Sequence, residues 1–163
     1  MHDRLSSRDE DGTTVGVRVN IHEADTPSPG PGLCSEDEVA RLVHAFYARV
    51  RADALLGPVF AAHVHDWPAH LAQLVDFWSA MLRGTRRFHG TPVQRHNALP
   101  GLDAAMFERW LALFRLTTAE TGNPAMRALA DDMAARVAVT LRARYREASG
   151  SQDDGSCLPV GVT

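Results

Sequence analysis

From Val39 onward the apolar positions recur at steps of three and four, as Val39, Leu42, Val43, Phe46, Tyr47 and Val50. This is the pattern of a helix with one buried face. The preceding "SEDEV" supplies its start: Ser35 is placed as N-cap, Glu38 completes a capping box, and the acids of the first turn face the positive end of the helix dipole. "RADALLGPVFAAHV" breaks the run at Gly57-Pro58 and leaves Val59 and Phe60 to pack at a turn. A second amphipathic run begins at Trp67-Pro68, with proline suited to a first helical position, and carries His70, Leu71, Leu74, Val75, Phe77, Trp78, Met81 and Leu82 before Gly84 ends it. Asp103 caps a third, whose face is Phe107, Trp110, Leu111 and Phe114. "TGNP" then turns the chain, with Asn123 as cap and Pro124 opening a long last helix that bears Met126, Leu129, Ala130, Met133, Val137 and Leu141 on one side. No strand-period segment or internal repeat interrupts these runs, so the predicted class is all-α.

The ends of the chain read differently. Every Trp, Tyr and Phe lies between Phe46 and Tyr145, which confines the packing material to a middle segment. The first 33 residues end in the linker "TPSPGPG", and within them "VGVRVNI" alternates at strand period without a partner strand. The expected organisation is a disordered N-terminal tail over 1–33, one helical domain over 34–147 and a disordered C-terminal tail over 148–163. A net charge of −3 without a basic block argues against a nucleic-acid surface or an anionic membrane patch. Cys34 and Cys157 form neither a metal-type pair nor a disulfide framework and are read as ordinary thiols. The charged "MHDRLSSRDEDG" has no apolar core of signal-peptide type, and no window approaches the ~20 apolar residues of a membrane span, so a cytoplasmic location is expected.

Candidate chemistry concentrates in the histidines. His63, His65, His70, His89 and His96 fall within one part of the chain, and His96 sits in "RFHGTPVQRHNALPG" between two prolines. Imidazole is a common ligand for transition metals and for haem iron. Any one of these rings is equally a solvated or backbone-bonded histidine. The spacing "HVHDWPAH" suggests zinc only weakly, because no Cys or acid stands at helix spacing to complete the coordination. No phosphate loop, nucleophile elbow or Cys-His pair with an orienting acid occurs. What the chain does present is a set of polar-tipped groups on otherwise apolar faces: Tyr47, His70, His96 and Trp110. Singly each fits an ordinary core whose polar tip finds a backbone partner. Together, on helices that share one core, they point to a bound group.

The segments "HAFYARVRADALLGPVF", "HLAQLVDFWSAML" and "GTPVQRHNALPGLDAAMFERWLALF" resemble the truncated haemoglobins, in particular the third of their three groups, over about Asp37 to Arg144. The resemblance implies a truncated globin fold, a two-over-two helical sandwich, that holds haem b. It implies His96 as the proximal iron ligand, Tyr47, His70 and Trp110 as the distal set, and Phe60 packed on the porphyrin. Leu74, Trp78, Phe107, Val93, Leu99 and Phe114 offer apolar surface for the porphyrin faces, and Arg95 is the first choice for a propionate among Arg86, Arg87, Arg95 and His89. The expected function is binding of dioxygen and other diatomic ligands, with Tyr47 and Trp110 as hydrogen-bond donors. The alternative is a haem peroxidase or nitric oxide dioxygenase, with peroxide as a substrate and an unidentified reductase. A helical interaction module without cofactor is a third reading, which an absorption spectrum separates from the other two.

Overall fold

The computed structural model describes residues 26–89 and 102–150. His96, Arg95, Val93 and Leu99 lie outside the described residues, as do Cys157, most of the expected N-terminal tail and most of the C-terminal one. The described residues form five helices and no strand: α1 (Glu36–Ala52), α2 (Gly57–His63), α3 (Trp67–Arg83), α4 (Ala104–Thr118) and α5 (Pro124–Gly150). Helix α1 packs on α3 and α4 on α5, while α1 also meets α4 and α3 meets α5, so two helices lie over two.

The helix ends are where local chemistry dictates. The Ser35 hydroxyl accepts from the Glu38 amide at 3.1 Å, and the Glu38 carboxylate accepts from the Ser35 amide at 2.7 Å. Asp66 and Asp103 cap α3 and α4 through Ala69 and Met106. Gly84 closes α3 at φ 70, in the left-handed region that costs glycine least. Asn123 serves three elements at once. Its carbonyl accepts from the Met126 amide at 3.0 Å to start α5, and its amide nitrogen donates to the Leu33 carbonyl at 3.0 Å and the Glu38 carboxylate at 3.2 Å. The segment before α1 is tied down further by Gly30, whose amide donates to the Leu82 carbonyl at 3.0 Å.

The corner between α1 and α2 differs from the expected simple turn. Gly57 and Pro58 open a helix of seven residues, because a first-turn position needs no donated N–H and its fixed φ suits a helix start. Gly57 also lets α2 approach α1 closely: a Cβ there would stand 2.7 Å from the Arg51 carbonyl oxygen, a backbone atom that cannot step aside. Gly57→Ala should therefore destabilise the fold by about 1–3 kcal/mol, the usual range for overpacking, and thermal unfolding measures it. Gly30→Ala, where a Cβ meets nothing within 4 Å, serves as the near-neutral control.

Phe46 is the centre of the core. It meets Tyr47, Trp110 and Phe114 edge-on with ring centroids 4.8, 5.3 and 5.1 Å away, and Phe114 stacks on Trp78 at 4.8 Å. Two carboxylates at the ends of α1 make the fold sensitive to acid. The Ser35 amide and then Asn123 hold the Glu38 carboxyl below its ordinary value against desolvation. Burial pushes the Asp53 carboxyl up, but Arg109 and the Leu56 and Leu55 amides outweigh it, so the net shift is downward. A depressed carboxylate contributes stability above its unfolded pKa, about 4 for Asp and Glu, and loses it as the pH falls through its lower folded value. Glu38→Gln and Asp53→Asn are each expected to flatten the acid limb of a stability-against-pH curve while leaving the neutral limb's slope unchanged.

Candidate functional site

Where the two helix layers cross, the side chains line an apolar pocket with a cavity volume of about 60 Å³. Tyr47 comes from α1, Leu56 and Phe60 from the α2 corner, and Leu74, Phe77 and Trp78 from α3. Leu102, Met106, Phe107 and Trp110 come from the start of α4, and Val137, Ala138 and Leu141 from α5. The lining is almost wholly hydrocarbon and aromatic. Its polar side-chain groups are the hydroxyl of Tyr47 and the indole nitrogens of Trp78 and Trp110.

The Trp110 indole, which can only donate, shares the pocket with the Tyr47 hydroxyl. Burial pushes the phenol's pKa far up and the Trp110 indole only partly opposes this, so the group is protonated at neutral pH. Tyr47 is held by Phe46 and Phe60 at 4.8 and 5.9 Å, both edge-on, and Trp110 by Phe114, stacked at 5.6 Å.

His70 stands beside this pair, one turn before Leu74. Its ring meets Tyr47 edge-on at 5.8 Å and Trp67 at 5.6 Å. The Arg51 guanidinium lies 4.5 Å from the centre of the Trp67 ring, a cation–π contact that covers the outside of the group.

Of the residues singled out from the sequence, Tyr47, Phe60, Leu74, Trp78, Phe107 and Trp110 line this one pocket and His70 touches its edge. Phe114 supports it from below, between Trp78 and Trp110. His96 and Arg95 lie outside the described residues. Among the cations considered with Arg95, Arg87 pairs with Glu36 at 2.5 Å and reaches Asp76 at 3.7 Å. Among the described residues no cluster of three or more His, Cys, Asp and Glu side chains could by itself hold a metal ion, and His63 of the "HVHDWPAH" run is engaged with the Val59 carbonyl at 2.8 Å. Sequence reasoning missed Leu56, Phe77, Leu102, Met106, Val137, Ala138 and Leu141 as lining residues. Apart from Leu56, Leu102, Met106 and Ala138, these already stood on apolar faces or beside named aromatics.

Comparison with known proteins gives a consistent result. The sequence model of the bacterial-like globin family matches residues 32–143. A group 3 truncated haemoglobin from Campylobacter jejuni is 36% identical over 84 residues, which span 49% of this chain and 66% of that protein, just under two thirds of its length. The crystal structure of the group III truncated haemoglobin from the same organism superposes with a TM-score of 0.64 at 30% identity, covering 69% of this chain and 91% of that one.

Proposed function

Because the chain belongs to the bacterial-like globin family and has the truncated-globin fold, we propose that its pocket holds haem b and binds dioxygen or another diatomic ligand. The observation that carries this reading is the pocket itself: walls of hydrocarbon and aromatic side chains with few polar groups, among them the Tyr47 hydroxyl and the Trp110 indole. That composition fits a broad apolar plate with a small polar ligand on one face. Ferrous haem, when bound, supplies an open coordination position and places partial negative charge on a diatomic ligand there.

His96 is the proximal ligand in this scheme, a role that rests on its position in the resembling motif. Phe88 packs on Phe77 of the lining with ring centroids 5.3 Å apart, and Leu102 lines the pocket. Arg95 is assigned to a propionate on charge alone. Phe60, Leu74, Trp78 and Phe107 supply the apolar walls.

Tyr47 does the recognition. Its hydroxyl, protonated in the pocket, has a proton to give to a ligand that carries negative charge. Such a charge-assisted bond contributes about 1.5–3 kcal/mol. Trp110, in the same lining, is the second donor. A phenol with so high a pKa is a hydrogen-bond donor and a poor proton donor, which favours holding a ligand over the proton delivery that peroxide turnover needs. Ligand addition to the hemin-reconstituted, dithionite-reduced protein tests the reading. The expected result is a reversible shift of the Soret band with oxygen and with carbon monoxide. A spectrum indifferent to both gases overturns it.

A further inference from the structure

Between Ala61 and His70 only Val64, Trp67 and His70 are withdrawn from solvent, and every other residue is exposed. Few side chains therefore hold the first turn of α3 to the rest of the molecule. Its backbone is set locally: Asp66 accepts from the Ala69 amide through its carboxylate and from the His70 amide through its carbonyl, both at 3.0 Å. Its side chains meet α1 through a closed set of ring contacts. His70 lies edge-on to Tyr47 at 5.8 Å and to Trp67 at 5.6 Å, each at an interplanar angle of 88°, and the Tyr47 and Trp67 rings are themselves 6.3 Å apart. The imidazole thus stands against both rings at once. Arg51, one turn beyond Tyr47 on α1, places its guanidinium 4.5 Å from the centre of the Trp67 ring. That contact ties the last turn of α1 to the first residue of α3 across the α2 corner.

We propose that Trp67, held in place by Arg51, is the positioning residue for His70, keeping the imidazole docked against Tyr47 at the edge of the pocket. The inference rests on the haem reading above for its consequence at the ligand, and on the ring contacts for its cause. An imidazole on the first turn of a helix whose neighbours are exposed has a choice of rotamers that only packing removes. Turning this one about its Cα–Cβ bond forfeits both edge-on contacts together. An aromatic pair of this kind shifts such an equilibrium by about two- to tenfold. Removing Trp67 multiplies the share of released imidazole by that factor. Arg51 acts one step further out, and a cation over a partly exposed ring contributes about two- to fivefold. Docked, His70 presents one arrangement beside the Tyr47 donor; released, it samples several, and a bound ligand meets each of them.

Trp67→Leu isolates the effect, since it keeps apolar bulk and removes the ring. In the haem-free protein the readout is the nuclear Overhauser effect between the His70 imidazole protons and the Tyr47 ring protons, assigned by its absence in His70→Leu and read together with the χ1 couplings of His70. The ratio of released to docked imidazole should rise about two- to tenfold in Trp67→Leu and about two- to fivefold in Arg51→Met. It should return toward the parent value in Trp67→Phe and Arg51→Lys, which restore a ring and a cation. In the haem-loaded protein the carbon monoxide form of the parent should show one dominant C–O stretch, to which Trp67→Leu adds a second band. In a His70→Leu background Trp67→Leu should add nothing further. An unchanged ratio in a folded Trp67→Leu would overturn the proposal, as would a second C–O band that persists without His70. Should Trp67→Leu fail to fold, Arg51→Met, a change at an exposed residue, decides in its place by the same ratio. Failure of the parent protein to take up hemin would instead count against the haem reading, with the haem-free measurement still deciding this one.

Discussion

Replacing Tyr47 with Phe should raise the rate of oxygen dissociation about 10–100-fold, which stopped-flow displacement of oxygen by carbon monoxide measures directly. The factor follows from the bond removed: a donor to a negatively charged ligand contributes about 1.5–3 kcal/mol, and 1.4 kcal/mol is a factor of ten. The substitution is nearly isosteric and keeps the ring contacts with Phe46 and Phe60, so little of the effect can come from repacking. Trp110 keeps its own donor in the same pocket, so the double variant Tyr47→Phe, Trp110→Phe should dissociate faster than the single one. An unchanged rate in the double variant would remove both groups from ligand binding.

Replacing His96 with Gly should weaken hemin affinity by more than about 100-fold, because even residues that merely support a metal ligand carry about 10–100-fold. Added imidazole, which fits the space vacated, should restore a five-coordinate ferrous spectrum. His89→Gly and His65→Gly, two other histidines in the same part of the chain, are the controls and should bind hemin like the parent. Loss of affinity in either control with retention in His96→Gly would move the proximal role to another ring.

How much of this could be read before the fold was known depends on the range of the interaction concerned. The helix caps are local: Ser35 with Glu38, Asp103 with Met106 and Asn123 with Met126 are each three residues apart, and all form as their spacing predicts. Gly57-Pro58 is also local but was ambiguous, because the pair that ends one helix is equally suited to begin the next. The polar-tipped groups were legible as a set, since Tyr47, His70 and Trp110 stand out on apolar faces and do converge. Periodicity reports which face of a helix is buried and says nothing of what it is buried against. Ala138 and Met106 therefore gave no sign that they face a cavity rather than a neighbouring side chain. Asp53 and Arg109 were illegible for a different reason. They are 56 residues apart, and each reads as an ordinary solvated charge until the fold brings them together.

One of the two acid-sensitive contacts lies at the corner that supplies Leu56 and Phe60 to the pocket. Asp53 is held below its ordinary pKa there by Arg109 and the Leu56 and Leu55 amides, so acid should loosen the pocket before it unfolds the helices. The clearest sign would be hemin loss at a higher pH than the loss of helical circular dichroism.

The most direct test of the central claim is titration of the purified haem-free chain with hemin, followed by Soret absorbance and by quenching of tryptophan fluorescence, since Trp78 and Trp110 both line the pocket. The account predicts a sharp break at one hemin per chain in both signals, with a Soret band distinct from that of free hemin. A gradual, unsaturable rise matching hemin in buffer, with the tryptophan emission unaffected, would contradict it.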